Sequence, residues 1–127
     1  MNTSNKKKIS DFFGKKFQRQ EINGVMYKID AETSTAEVTR SPKAAGNVVI
    51  LSEIHGKKIT KIGNAAFHGC KDLISVIIPN TVTSIGNSAF SGCKELKKVT
   101  IPQQTTSIVC GAFADCPSLK SISTFYE

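Results

Sequence analysis

The sequence predicts an α/β repeat solenoid of about three 23-residue coils, built from short strands and short helical turns and closed at its N-terminal end by a β-hairpin. Three observations carry this. Apolar residues recur at one fixed step, the residues inside each step follow one pattern, and hairpin signals precede the first step. Phe67, Phe90 and Phe113 stand 23 residues apart, as do Ala66, Ala89 and Ala112, Ile62, Ile85 and Ile108, Cys70, Cys93 and Cys116, and Leu73, Leu96 and Leu119. Val76, Val99 and Ile122 keep the same step. A single unit cannot bury its own apolar positions. Stacked coils can, because each residue then lies over its copy and a continuous core forms.

The elements follow from the chain in order. Residues 21–53 read as an N-terminal β cap. Val25, Tyr27 and Ile29 alternate with polar residues after the turn signal Asn23-Gly24, and Ala36 and Val38 alternate after residues 31–35. With the apolar strand Val48 to Leu51, this hairpin would cover the open end of the first coil. Residues 54–127 hold the repeats, and the unit from Ile78 to Thr100 is complete. Val82 and Ile85 bracket an extended piece, and Gly86 is expected to end it by adopting positive backbone angles. Ala89, Phe90, Cys93 and Leu96 then recur at helical spacing, which predicts a helical turn or two with one face in the core. Leu96, Val99 and Ile101 lead into a strand that Pro102 should stop, as Pro79 does one coil earlier, since proline has no N–H for the ladder.

Two units depart from the pattern. In the third, Val109 and Cys110 replace the Gly-Asn of Gly63-Asn64 and Gly86-Asn87, and Thr105 replaces Val82. Looser packing is expected there. In the first, His55 and Gly56 stand where Ile78 and Pro79 stand later, which predicts a wider entry turn.

The run Ile-Pro, Val-Thr-Ser-Ile-Gly, Ala-Phe, Cys and Leu, as it stands from Ile78 to Leu96, resembles the BspA-like (treponemal-type) leucine-rich repeat. The resemblance covers residues 54–124, and the stretch before it is similar to the segment that precedes such repeats. It implies a right-handed leucine-rich-repeat solenoid, a role in adhesion and protein binding at microbial surfaces, and a secreted or cell-surface location.

Charge and chemistry narrow the function further. The net charge is +7, but residues 1–20 carry +5 of it and the remaining 107 residues only +2. The folded body is therefore not charged like a nucleic-acid-binding surface. Residues 1–20 form a basic tail, flexible or folded as a short amphipathic helix: Ile9, Phe12, Phe13 and Phe17 fall at helical spacing among lysines, with Ser10 or Asp11 as caps. Such a tail could lie on an anionic membrane, pack on the first coil or remain a disordered leader. An alternative function is thus a basic-tail protein that associates with anionic membrane or nucleic acid, the solenoid being its scaffold. No apolar run reaches the 18 residues of a membrane span, and MNTSNKKKIS has no apolar stretch behind its charge, so neither a transmembrane segment nor a signal peptide is expected.

No catalytic or metal site is expected, and no cofactor or small-molecule substrate. Copies of a cysteine in adjacent coils would stack about 4.8 Å apart with parallel side chains, so Cys70 and Cys116 would lie roughly 10 Å apart and could not converge on one ion. Nor can three in a column pair off, and small buried hydrophobes explain them. Cys110 lies off the column. His55 and His68 fall at different repeat positions, and no nucleophile elbow, phosphate-binding loop or zinc-protease motif occurs.

A partner-binding face follows from strand alternation. With Val76 and Ile78 inward, Ser75 and Ile77 point out, and their copies are Lys98 and Thr100, then Ser121 and Ser123. The mix suits a protein or another host or microbial surface macromolecule. At the C-terminal end, Ile108, Phe113, Leu119 and Ile122 should be partly uncovered, with only Phe125 and Tyr126 to fold over them. The expected consequence is self-association through the C-terminal coil, or else a natural chain that continues with further repeats.

Overall fold

The computed structural model describes residues 17–109 and 111–125. The order is β1 (Phe17–Ile22), β2 (Val25–Asp30), β3 (Thr35–Thr39), β4 (Gly46–Val49), β5 (Glu53–Ile54), β6 (Lys57–Ile62), β7 (Leu73–Ile77), β8 (Ser84–Ile85), β9 (Lys98–Pro102), β10 (Ser107–Ile108) and β11 (Ser121–Phe125). One sheet runs β1-β2-β3-β6-β8-β10, with β5 attached to β6, and the other runs β11-β9-β7-β4. From β3 onward the chain crosses between the two sheets, laying down one strand of each per turn. Successive strands within each sheet pair in parallel with copies in register, as Ser84 with Ser107 and Val76 with Val99.

The second sheet's four strands give about four turns, one more than expected. The extra turn is made by β3 and β4, which lie before the recognisable repeats. They pair in parallel with β6 and β7 like any other coil, and each pairing is interrupted by a register shift. Ser41 shows how closely this turn imitates a repeat. Its N–H reaches the Ala66 carbonyl at 2.7 Å, just as those of Phe67 and Phe90 reach Ala89 and Ala112. Its buried hydroxyl accepts the Met26 N–H and donates to the Thr39 carbonyl, so a polar side chain ends the phenylalanine column without an unsatisfied group.

The cap is the antiparallel meander β1-β2-β3. Asn23 and Gly24, at φ 51° and 84°, form the two-residue hairpin turn their sequence predicts. Val25, Tyr27, Ile29, Ala36 and Val38 face the core, and the Tyr27 hydroxyl accepts the Leu51 N–H at 3.0 Å. Strand β1 was not expected. It begins inside the stretch assigned to the basic tail, so Phe17 belongs to a strand and not to a tail helix; Lys28 Nζ lies 4.1 Å over its ring. Ile9, Ser10, Asp11, Phe12 and Phe13 lie outside the described residues. The entry turn at His55-Gly56 is a second two-residue hairpin, φ 50° and 77°, joining β5 to β6.

The helical turns are absent: no helix occurs among the described residues. From Gly63 to Cys70 the chain makes consecutive three-residue turns. The N–H groups of Ala66, His68 and Cys70 bond back to Gly63, Ala65 and Phe67, while those of Ala65, Phe67 and Gly69 cross to Asn87, Ala89 and Ser91 of the next coil. Half the donors are thus spent on stacking, which no helix permits. Ala65, Ser88 and Asp115 take φ of 54–57°, a second bar to helix. Three- and four-residue spacing of apolar side chains suits both conformations, and the sequence period alone could not separate them.

Gly86 differs from expectation: its φ is not positive, and like Gly63 it is needed because the preceding coil passes too close for a Cβ. Pro102 lies within β9 as its last residue and is buried, opposite Phe125 of β11.

The core is one continuous column. Phe67, Phe90 and Phe113 stack at centroid distances of 5.1 and 5.2 Å. Ile62 and Ile85, Leu73 and Leu96, and Val76 and Val99 are fully buried beside them. Burial fades in the fourth turn, where Ile108, Val109 and Ile122 are 46%, 42% and 49% exposed and Phe113 and Leu119 are half-buried. The Val109 N–H reaches the Ile85 carbonyl at 3.1 Å, the equivalent of the 2.8 Å bond from Gly86 to Ile62.

Candidate binding face

The second sheet presents the expected patch. Strand β7 places Ser75 and Ile77 outward because Val76 and Ile78 are driven into the core. Register then fixes the rest: Ser75 pairs with Lys98, and Lys98 with Ser121; Ile77 pairs with Thr100, and Thr100 with Ser123. All six lie on one face, with Ile77, Lys98 and Ser121 exposed and Ser75, Thr100 and Ser123 partly so.

The face is larger than its repeat pattern. Asn47 pairs with Ser75 and Val49 with Ile77, so β4 adds a fourth row. The Ser75 hydroxyl donates to Asn47 Oδ1 at 2.7 Å. These two residues escape the 23-residue step because β4 belongs to the turn outside the repeats. Ile74, Lys97 and Lys120 form a further row on the same edge; the Lys97 N–H bonds Ile74 and the Lys120 N–H bonds Lys97, at 2.8 and 2.9 Å. Their 23-residue spacing was visible in the sequence, but strict alternation assigns them inward. The register shift between β4 and β7 places Ile74 as the unpaired residue, and it turns out to solvent.

Each cysteine of the column is hydrogen-bonded to the preceding turn. Cys70, Cys93 and Cys116 donate their Sγ hydrogens to the carbonyls of Ser41, Phe67 and Phe90 at 3.2, 3.0 and 3.0 Å. Burial raises all three thiols above their ordinary range, Cys93 to about 12. They are free, and burial disfavours the thiolate form at all three. Cys110 lies outside the described residues. His55 and His68 are exposed and far apart in the chain; His55 Nε2 lies 2.7 Å from Gln20 Oε1, a contact tying the entry turn to β1.

With this geometry, comparison with known proteins is informative. Residues 47–126 match the family model described as the BspA type leucine rich repeat region. Among solved structures, a T. pallidum leucine-rich-repeat protein is 30% identical with a TM-score of 0.74, over 83% of this chain and 49% of that one. A Bacteroides ovatus leucine-rich-repeat protein is 30% identical with a TM-score of 0.68, over 81% and 28%. A leucine-rich cell-surface protein of Faecalibacterium prausnitzii is 29% identical with a TM-score of 0.56, over 84% and 32%. The chain thus spans half or less of the length of these relatives. No curated protein matches the sequence.

Proposed function

Because the chain belongs to the BspA-type leucine-rich-repeat family, we propose that it is a non-enzymatic binding module that presents the outer face of β4, β7, β9 and β11 to a protein or other macromolecule on a host or microbial surface. The observation that carries this reading is the alignment of Ser75, Ile77, Lys98, Thr100, Ser121 and Ser123 in two unbroken rows on a rigid ladder. A rigid row of short side chains costs little ordering entropy when covered, which favours recognition by surface complementarity. Secretion or display at the cell surface accords with the relative described as a cell-surface protein. Among the described residues, no helix is long and apolar enough to cross a membrane.

The test is site-directed photo-crosslinking in a cell-surface extract. A photo-reactive side chain at Thr100 should give a discrete adduct that unlabelled protein competes away, while one at Thr83, just before β8 of the other sheet, should not. Equal labelling from both positions, or none from Thr100, would overturn the reading.

Self-association through the fourth turn is a second part of this reading: among the described residues β10 and β11 are the last strands of their sheets, beside exposed Ile108 and Ile122, and sedimentation across a hundredfold concentration range tests it.

A further inference from the structure

The binding face is polarised along the solenoid axis. Its first two rows of strand offer aliphatic groups: Val49 is 66% exposed, Ile77 44% and Ile74 40%. Val49, Leu51, Ile77 and Pro79 line a shallow groove there. The last two rows offer ammonium groups instead. Lys97 and Lys98 on the third turn and Lys120 on the fourth are exposed, and Thr100, Ser121 and Ser123 add hydroxyls.

Among the described residues these lysines have no carboxylate partner. Asp72 and Glu95 lie on the loops that enter β7 and β9, yet among the described residues no ion pair joins a carboxylate to Lys97, Lys98 or Lys120. Lys97 and Lys120 are adjacent in neighbouring coils, the Lys120 N–H bonding the Lys97 carbonyl at 2.9 Å. An anionic group laid over this row would meet ammonium groups of both coils.

We propose, resting on the assignment of this face as the binding surface, that its partner is an extended acidic protein segment: one or two aliphatic side chains seated between Val49 and Ile77, followed by carboxylates over Lys97, Lys98 and Lys120. The dimensions fit. Four strands span about 14 Å, which about five extended residues cover. The aliphatic half favours a peptide over a nucleic acid or a sulfated glycan, neither of which carries groups for that groove. A lipid surface is separated from a peptide by the vesicle arm of the test below.

Selection of a random nonapeptide library displayed on phage against the full chain tests this. The selected peptides should carry Asp or Glu two to four residues from Leu, Ile or Val. Synthetic copies should bind about tenfold or more weakly to K97E/K98E/K120E and to V49S/I77S, and should weaken as salt is raised. Peptides without acidic residues that are indifferent to the lysine substitutions but lost in T100R would overturn the acidic partner and leave the face intact. Peptides indifferent to every substitution on the face would overturn both readings. The proposal also fails if no peptide is selected, or if lysine-dependent binding is found only for phosphatidylserine vesicles or heparin.

Discussion

Phe90→Ala is expected to lower the unfolding free energy by about 3–5 kcal/mol, the cost of emptying a phenylalanine site in a packed core. Phe90 is fully buried and has a ring on each side, Phe67 at 5.1 Å and Phe113 at 5.2 Å. Truncation therefore removes two stacking contacts and opens a void between coils that the rigid ladder cannot collapse to fill. Its N–H and carbonyl remain tied to Ala112 and to the Cys116 thiol, which holds the backbone open around the void. Phe113→Ala should cost clearly less, because that ring is half-buried and stacks on one side only. Urea unfolding of the two variants measures the difference. A loss below about 1 kcal/mol for Phe90→Ala would show that the repeat phenylalanines do not hold the coils together.

Gly86→Ala is expected to cost about 3 kcal/mol, although it adds only a methyl group. A Cβ at Gly86 would stand 2.5 Å from Asn64 Oδ1, 2.7 Å from the Asn64 nitrogen and 2.9 Å from the Gly63 carbonyl carbon. Two of those three atoms are backbone and cannot rotate away. The third already accepts the Asn87 N–H at 2.8 Å, so moving it breaks a rung of the ladder. The strain can be relieved only by separating the coils, which stretches every neighbouring bond. Gly69→Ala is the informative comparison. Gly69 has φ +70° and nothing within 4 Å of its built Cβ, so it should cost only the left-handed conformation, about 1–2 kcal/mol. Thermal or urea unfolding should rank Gly86→Ala as the more damaging. The reverse order would mean that backbone angle, not coil approach, selects glycine in the repeat.

The columns of the core were legible because stacking copies a residue onto itself: Phe67 predicts Phe90 and Phe113, and all three meet. Asn23-Gly24 was legible because only a two-residue turn uses both of its backbone preferences. The turn from Gly63 to Cys70 was not, since side-chain spacing carries no record of whether an N–H bonds within its coil or to the next. Strand β1 was hidden for a different reason. Its residues Gln18, Arg19, Gln20 and Glu21 are all exposed at a sheet edge, so no face required apolar alternation. On the candidate face, Lys98 and Thr100 followed from alternation and period alone. Asn47 and Val49 reached it through a register shift, an offset that no fixed repeat contains.

The two ends of the ladder set an order of events. At the N-terminal end the strands are joined by tight hairpins, whose contacts close short loops and form early; each later coil closes over a full repeat and needs the previous coil as its template. Burial is lowest in the turn that carries Lys120, Ser121 and Ser123, so its amides are expected to exchange faster than those of β7. A partner resting on those residues would engage only molecules in which this turn is closed. Its concentration would then raise the protection of that turn, an effect that hydrogen exchange with and without the partner measures.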